Sequence, residues 1–146
     1  MPSSLKIFAR HNLAVVTHSG VLRPDEVSAV FDSFRTHPDA RPGLLMLVDL
    51  RPLERFDADV IQFFKLQMSA AEIFTSHPQE MIMCFFCPPG PNSRLARAII
   101  DAWEAVPTAR PKLAETEEQA ISILGLPVSR LSQITDEETS PRRWPF

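Results

Sequence analysis

Cysteine and glycine are scarce in this sequence, and neither sign of charge dominates it. Two cysteines, Cys84 and Cys87, among 146 residues do not make the disulfide framework of a small secreted protein. A chain of this length buries roughly 70% of its unfolded surface and needs no such cross-links. The net charge of −3 excludes the strongly basic field that attracts nucleic acid or an anionic membrane.

Long apolar runs are also missing. No run approaches the ~20 residues that span a bilayer, so we expect no integral membrane segment. Residues 1–10 lack the long apolar core of a signal peptide. We therefore expect the protein in the cytoplasm.

Proline, by contrast, is abundant, with 14 residues. Because proline fixes φ and lacks an N–H, it marks the boundaries of helices and strands. The segments between prolines show strand and helix periodicity in turn: a hairpin at 5–10 and 13–18, strands at 43–50, 80–86 and 112–115, and helices starting near 24, 57, 92 and 116. Pro24, followed by two acids, suits the start of the first helix. Asn92 or Ser93 can cap the third helix, and Thr116, with Gln119 three residues later, can cap the last. This alternation predicts one α/β domain with a mainly parallel sheet, right-handed crossovers and an N-terminal antiparallel hairpin.

A short motif at the end of the strand predicted at 43–50 resembles the signature of a known family. Val48-Asp49-Leu50 ends an apolar strand, and Asp57 follows a short linker at the start of a predicted helix. This resembles the signature of STAS domains, the SpoIIAA-like proteins, in which Leu-Asp-Leu ends a strand and Asp-Ser-Ser-Gly opens a helix. The resemblance implies an α/β SpoIIAA-like strand–helix superhelix over residues 1–126, with the helices on one face of the sheet. It also implies a binding or regulatory role without catalysis.

The regulatory members of the family are phosphorylated on a serine at the start of this helix, and the two serine positions of the signature fall on Ala58 and Asp59. We therefore expect this chain to lack the phosphorylatable serine. The resemblance implies a protein partner at Asp57, Ala58 and Asp59 or, by analogy with relatives without the serine, a small hydrophobic ligand. Helix capping is the alternative role of the two carboxylates. Their use as an acid–base pair would make the protein an enzyme, which we do not expect, because no second acid–base cluster accompanies them.

The helix predicted after Asp57 is unusually apolar, and Phe63 and Phe64 lie at its centre. Its apolar residues exceed the single stripe that packs on a sheet. We expect these side chains to face a cavity or a partner as well as the sheet, although such residues are more often simply core.

Cys84 and Cys87 have the C-x-x-C spacing of some redox and zinc sites. Cys84 lies in a predicted strand, where a separation of three places the two side chains on opposite faces. No second pair of zinc ligands follows, and the four histidines are scattered. We interpret the cysteines as buried structural residues and expect neither a metal nor a cofactor.

Arg94 and Arg97 follow a proline-rich loop into the third predicted helix. A helix N-terminus with two arginines can bind an anion. The loop, however, is rich in a residue that offers no N–H, and it matches no phosphate-binding motif. An ordinary solvated loop is the favoured interpretation of this segment.

The strands at 44–50 and 81–86 are apolar at nearly every position, so both faces of the sheet need cover. Residues 127–146 have a composition typical of disorder, yet they contain four large apolar residues. We predict that this C-terminal tail covers the remaining face through Leu131, Ile134, Trp144 and Phe146. A second subunit in a homodimer is the alternative cover.

Overall fold

The computed structural model describes residues 3–41, 43–57, 61–62, 65 and 80–137. Six residues named in the sequence predictions lie outside these ranges: Ala58, Asp59, Phe63, Phe64, Trp144 and Phe146.

Strands in the described residues form two sheets: β1 (Ser3–Phe8), β2 (Leu13–His18), β3 (Gly20–Leu22), β4 (Leu45–Asp49), β5 (Leu53–Phe56), β6 (Met81–Phe86) and β7 (Ala109–Ala114). The main sheet has the order β1-β2-β4-β6-β7. Its first pair is antiparallel, and its other three pairs are parallel. The prediction of a mainly parallel sheet with an N-terminal hairpin is confirmed.

Asn12 shapes the hairpin between β1 and β2. It follows a single 3₁₀ turn, Ala9–His11, and has a left-handed φ of 53°, a conformation that Asn tolerates better than most residues. Its side-chain amide donates to the Gly43 carbonyl at 3.0 Å, and its own carbonyl accepts from the Leu45 N–H at 2.8 Å. Asn12 therefore turns the chain and also fixes β4 beside β2.

A second sheet contains only β3 and β5, which pair in parallel. Gly20 enters it with a φ of 64° and donates its N–H to the Pro52 carbonyl at 3.2 Å. The Asp57 N–H then donates to the Leu22 carbonyl at 2.7 Å. Neither strand is apparent in the sequence, because three and four residues are too few to show a periodicity.

Four helices are described: α1 (Pro24–Thr36), α2 (Ser93–Glu104), α3 (Glu117–Leu124) and α4 (Ser132–Thr135). α1 begins as predicted, with Pro24 in its first turn and two acids near its positive dipole end. Thr116 caps α3 as predicted, because its hydroxyl accepts from the Gln119 N–H at 3.2 Å. Gly125 ends α3 with a φ of 64°.

The start of α2 differs from the prediction that Asn92 or Ser93 caps it. Asn92 holds the N-cap position but makes no side-chain cap bond. Its amide instead donates to the carbonyls of Leu53 and Glu54 in β5, at 3.1 and 3.4 Å. The side chain therefore ties α2 to the small sheet.

Buried side chains form two apolar clusters, one on each face of the main sheet. Along β6, Met83 and Phe85 belong to the first cluster, and Cys84 and Phe86 to the second, as the alternation along a strand requires. α1 and α2 pack in the first cluster, whereas α3 and α4 pack in the second. The expectation that all helices share one face is wrong for α3 and α4, because strands that are apolar on both faces need cover on both.

Residues after α3 lie on the second face. Leu131 and Ile134 are 2% and 0% exposed and belong to the second cluster. Glu137, the last described residue, accepts from Arg10 Nη1 at 3.0 Å and lies 2.8 Å from His11 Nε2. The division of the chain into a domain of residues 1–126 and a tail of residues 127–146 stays a prediction.

Candidate functional site

A cavity of about 70 Å³ lies between α1, α2 and the first face of the main sheet. All but one of the described residues that line it are apolar. Its volume exceeds the ~15 Å³ that one water needs and is about half that of a ~150 Å³ apolar cavity that binds benzene. The cavity therefore has room for a small apolar group.

Separate stretches of the chain build the walls of this cavity. α1 supplies an apolar stripe, which consists of Val27, Val30, Phe31 and Phe34. Phe31 meets Trp103 of α2 with ring centroids 6.3 Å apart, within the range of favourable aromatic pairs. Their contact joins the two helices at the wall of the cavity.

His18 is the single polar residue among the described residues that line the cavity. It ends β2 and is 6% exposed. Its Nδ1 lies 2.8 Å from the Oγ of Ser3, its antiparallel partner in β1. Burial lowers the pKa of His18 to about 4, because apolar surroundings disfavour the charged imidazolium. The cavity thus has a neutral hydrogen-bonding group, while the other described residues that line it are apolar.

Asp57, which matches the Asp of the STAS signature, directly follows β5 and is exposed. Its carboxylate lies 3.4 Å from Arg23 Nε and 3.9 Å from Arg55 Nη1. Because all three side chains are exposed, these pairs contribute little to stability. No sequence pattern places Arg23 at this site, since it is the pairing of β3 with β5 that brings Arg23 to Asp57.

The other predicted site residues are only partly located by the structure. Arg94 and Arg97 are exposed on α2, whose first turn is tied to β5 through Asn92. The start of α2 and the end of β5 therefore lie in the same region of the molecule. The remaining four predicted residues lie outside the described ranges: Ala58, Asp59, Phe63 and Phe64.

Cys84 and Cys87 lie on opposite faces of the sheet, as their spacing predicts. Neither is in a disulfide. Burial raises the pKa of the Cys84 thiol to about 12, and burial together with the charge of Glu115 raises the pKa of Cys87. Both thiols are therefore protonated at neutral pH and are poor nucleophiles.

Asp49, the Asp of the strand-ending motif, lies on the second face. Its carboxylate accepts from the guanidinium of Arg51 at 3.0 and 2.9 Å and from the Arg51 backbone N–H at 3.0 Å. The guanidinium also lies 4.5 Å from the ring centroid of Phe86, a cation–π distance. The hydrogen bond to Asp49 raises the pKa of Arg51. Asp49 is therefore engaged in a structural ion pair.

Two further kinds of functional feature are absent from the described part of the chain. No group of three or more His, Cys, Asp or Glu side chains there could hold a metal ion. Among the same residues, no helix is both long and apolar enough to cross a membrane.

The chain is similar to the crystal structure of an uncharacterized protein of the DUF3478 family, with a SpoIIAA-like fold, from Shewanella loihica PV-4. The TM-score is 0.51 at 12% sequence identity, and the match covers 84% of this chain and 91% of that chain. It is also similar to the anti-sigma factor antagonist SpoIIAA in its unphosphorylated form, with a TM-score of 0.47, 15% identity and coverage of 82% of this chain and 94% of that chain. No protein-family profile and no curated protein matches. The likeness to the DUF3478 protein confirms the fold predicted from the STAS resemblance: this chain has a SpoIIAA-like fold.

Proposed function

We propose that this chain is a non-catalytic binding domain whose ligand is a small hydrophobic molecule, held in the cavity between α1, α2 and the sheet. The observation that carries the proposal is the apolar lining of this cavity. Apolar cavities stay dry and accept apolar ligands of matching size. Transfer of apolar surface from water into the cavity supplies the free energy of binding, at about 25 cal/mol per Å².

The state of the titratable groups in the core supports a binding role. The thiols of Cys84 and Cys87 are held protonated, and the imidazole of His18 is held neutral by burial. Asp49 is engaged by Arg51. An acid–base or nucleophilic site instead places an activated nucleophile beside a base.

Xenon binding tests whether the cavity accepts an apolar guest. We expect xenon to shift the methyl resonances of Val16 and Val48, which line the cavity, in a carbon–proton correlation spectrum. The double variant Val16→Ile, Val48→Ile fills part of the cavity and should weaken xenon binding. Val15→Ile is the matched control, because Val15 is buried on the opposite face of the same strand.

The natural ligand is sought by native mass spectrometry of the protein purified from its own host. We expect an additional mass on the wild-type chain and on Val15→Ile, and less of it on the filled variant. Absence of a xenon response, or an identical response in the filled variant, would contradict the proposal.

A protein partner at the end of β5 is the second candidate function. The exposed Asp57 lies beside Arg23 and Arg55, and Ile61, four residues further along the chain, is 63% exposed. Among the described residues, Ile61 is the large apolar side chain that is exposed, and apolar surface rimmed by polar groups marks protein–protein contacts. This is also the position at which the STAS resemblance implies partner binding.

Charge reversal tests this surface. Asp57→Lys should abolish retention of a partner from host extract, whereas Asp25→Lys, an exposed residue in the first turn of α1, should leave it unchanged. Quantitative mass spectrometry of the retained proteins provides the measurement. The same retained set for both variants and the wild type would exclude a partner at Asp57.

The cytoplasm is the location that we propose for this domain. Two cysteines that are not in a disulfide and lie buried on opposite faces fit a reducing compartment, where disulfides are rare. Labelling of the thiols in denaturant directly after cell lysis checks this: both should react in full.

A further inference from the structure

We propose that His18, supported by Ser3, recognises a ligand hydroxyl group, so that the ligand of the cavity is an uncharged molecule with a small apolar body and one hydroxyl. The inference rests on the proposed function, because it names the ligand class of the same cavity. It assigns a specificity-determining role to the single polar residue among the described residues that line the cavity.

The geometry leaves one ring nitrogen of His18 for a ligand. Nδ1 lies 2.8 Å from Ser3 Oγ, and no group among the described residues hydrogen-bonds to Nε2. A ligand oxygen at Nε2 adds a hydrogen bond to the complex, whereas a purely apolar ligand makes no such bond.

A hydroxyl fits His18 in either tautomer. When Ser3 donates to Nδ1, Nε2 carries the proton and needs an acceptor. When Nδ1 donates to Ser3, Nε2 needs a donor. A hydroxyl is both donor and acceptor, whereas a carbonyl oxygen serves only the first tautomer.

A charged ligand group is disfavoured at this position. The other described residues around the cavity are apolar, and burial of an ionised carboxylate without a charged partner is costly. The lowered pKa of His18 keeps the imidazole neutral at pH 7, so it offers a carboxylate no opposite charge. The site therefore selects an alcohol over the carboxylate of the same size.

Nitrogen-15 NMR of the imidazole ring in the full-length protein tests the proposal, with 1-propanol and propionate as matched probes at pH 7. We expect 1-propanol to shift the Nε2 resonance of His18 saturably and propionate to leave it unchanged at equal concentration. In His18→Phe, which keeps a ring but loses both nitrogens, 1-propanol should bind about fivefold more weakly, as loss of one neutral hydrogen bond implies, while xenon still binds. His37→Phe, at the end of α1, is the control and should bind 1-propanol like the wild type.

The outcomes separate this inference from the proposed function. If xenon does not bind the wild-type protein, the proposed function fails, and the inference fails with it. If xenon binds but 1-propanol leaves Nε2 unshifted, or propionate shifts it equally, only the role of His18 is overturned. The wild-type spectrum alone decides this point if His18→Phe does not fold.

Discussion

At the scale of single residues, the polar side chains of this protein differ in the hydrogen bonds and ion pairs that they form. Asp49 is held by three hydrogen bonds from Arg51, whereas the Asp57 carboxylate forms exposed ion pairs with Arg23 and Arg55. His18 is buried with one partner, Ser3. A buried, incompletely paired imidazole is the residue whose protonation couples most directly to folding.

His18 predicts a loss of stability in mild acid. Its pKa is about 4 in the folded protein and 6.5 in the reference state, so below pH 6.5 the unfolded chain binds a proton that the folded chain does not. The free energy of unfolding should therefore fall as the pH drops from 6.5 toward 4, by about 2–3 kcal/mol from this residue. Urea unfolding at pH 7.5, 6, 5 and 4.5 measures the effect.

His18→Gln removes the titrating group, so its unfolding free energy should depend less steeply on pH over the same range. His37→Gln is the control and shows how much a histidine replacement changes the profile by itself. Parallel profiles for the wild type and His18→Gln would show that His18 is not held neutral in the folded protein.

At the scale of elements, the starts of helices show what a sequence can reveal. Thr116 and Gln119 have the spacing of a capping box, and Thr116 makes the predicted cap. Asn92 has the same propensity for capping, but its amide reaches β5 instead. The difference arises because β5 lies beside the start of α2, and no local pattern encodes that neighbour.

Variants of Asn92 distinguish these two roles. Asn92→Ala should lower the free energy of unfolding by about 1 kcal/mol, through loss of the hydrogen bonds to the Leu53 and Glu54 carbonyls. Asn92→Ser should not restore stability, because serine is a good cap but is too short to replace the amide. At α3, by contrast, Thr116→Ala should cost about 1 kcal/mol, and Thr116→Ser should recover most of it. Recovery of stability in Asn92→Ser would contradict the tie to β5.

The cavity was less predictable than the elements around it. The stripe of Val27, Val30 and Phe34 on α1 is visible in the sequence as a buried face. That these side chains leave a space against the sheet depends on the volumes of residues from distant strands and helices, and periodicity carries no such information. Phe56 illustrates this, because it lines the cavity from a strand too short to be predicted.

At the scale of the whole molecule, both faces of the sheet need cover. The first two described helices, α1 and α2, cover the first face, and the last two, α3 and α4, cover the second. Leu131 and Ile134 bring residues beyond 126 into the second cluster. The backbone N–H of Leu131 also donates to Glu117 at 3.0 Å, which fixes this segment against α3.

Truncation measures how far the fold depends on this segment. A chain that ends at Leu126 loses the burial of Leu131 and Ile134, each worth about 1.5–3 kcal/mol, and leaves apolar side chains of the second face exposed. We expect its unfolding free energy to fall by about 3–6 kcal/mol or the chain to self-associate. A chain that ends at Glu137 keeps both residues. The difference between its unfolding free energy and that of the full-length chain therefore measures the contribution of residues 138–146, which include Trp144 and Phe146.

Point variants test whether the loss of stability on truncation comes from the packing of buried side chains. Ile134→Ala should cost about 2–5 kcal/mol, because Ile134 is 0% exposed. Ser132→Ala, on the exposed side of α4, should stay within about 0.5 kcal/mol of the wild type. Urea unfolding gives the free energies, and sedimentation equilibrium gives the mass of each species. An unchanged melting temperature and mass for the chain ending at Leu126 would show that the second face needs no cover from residues beyond 126. Among the described helices, α3 alone would then cover the apolar side chains that β4 and β6 present on that face.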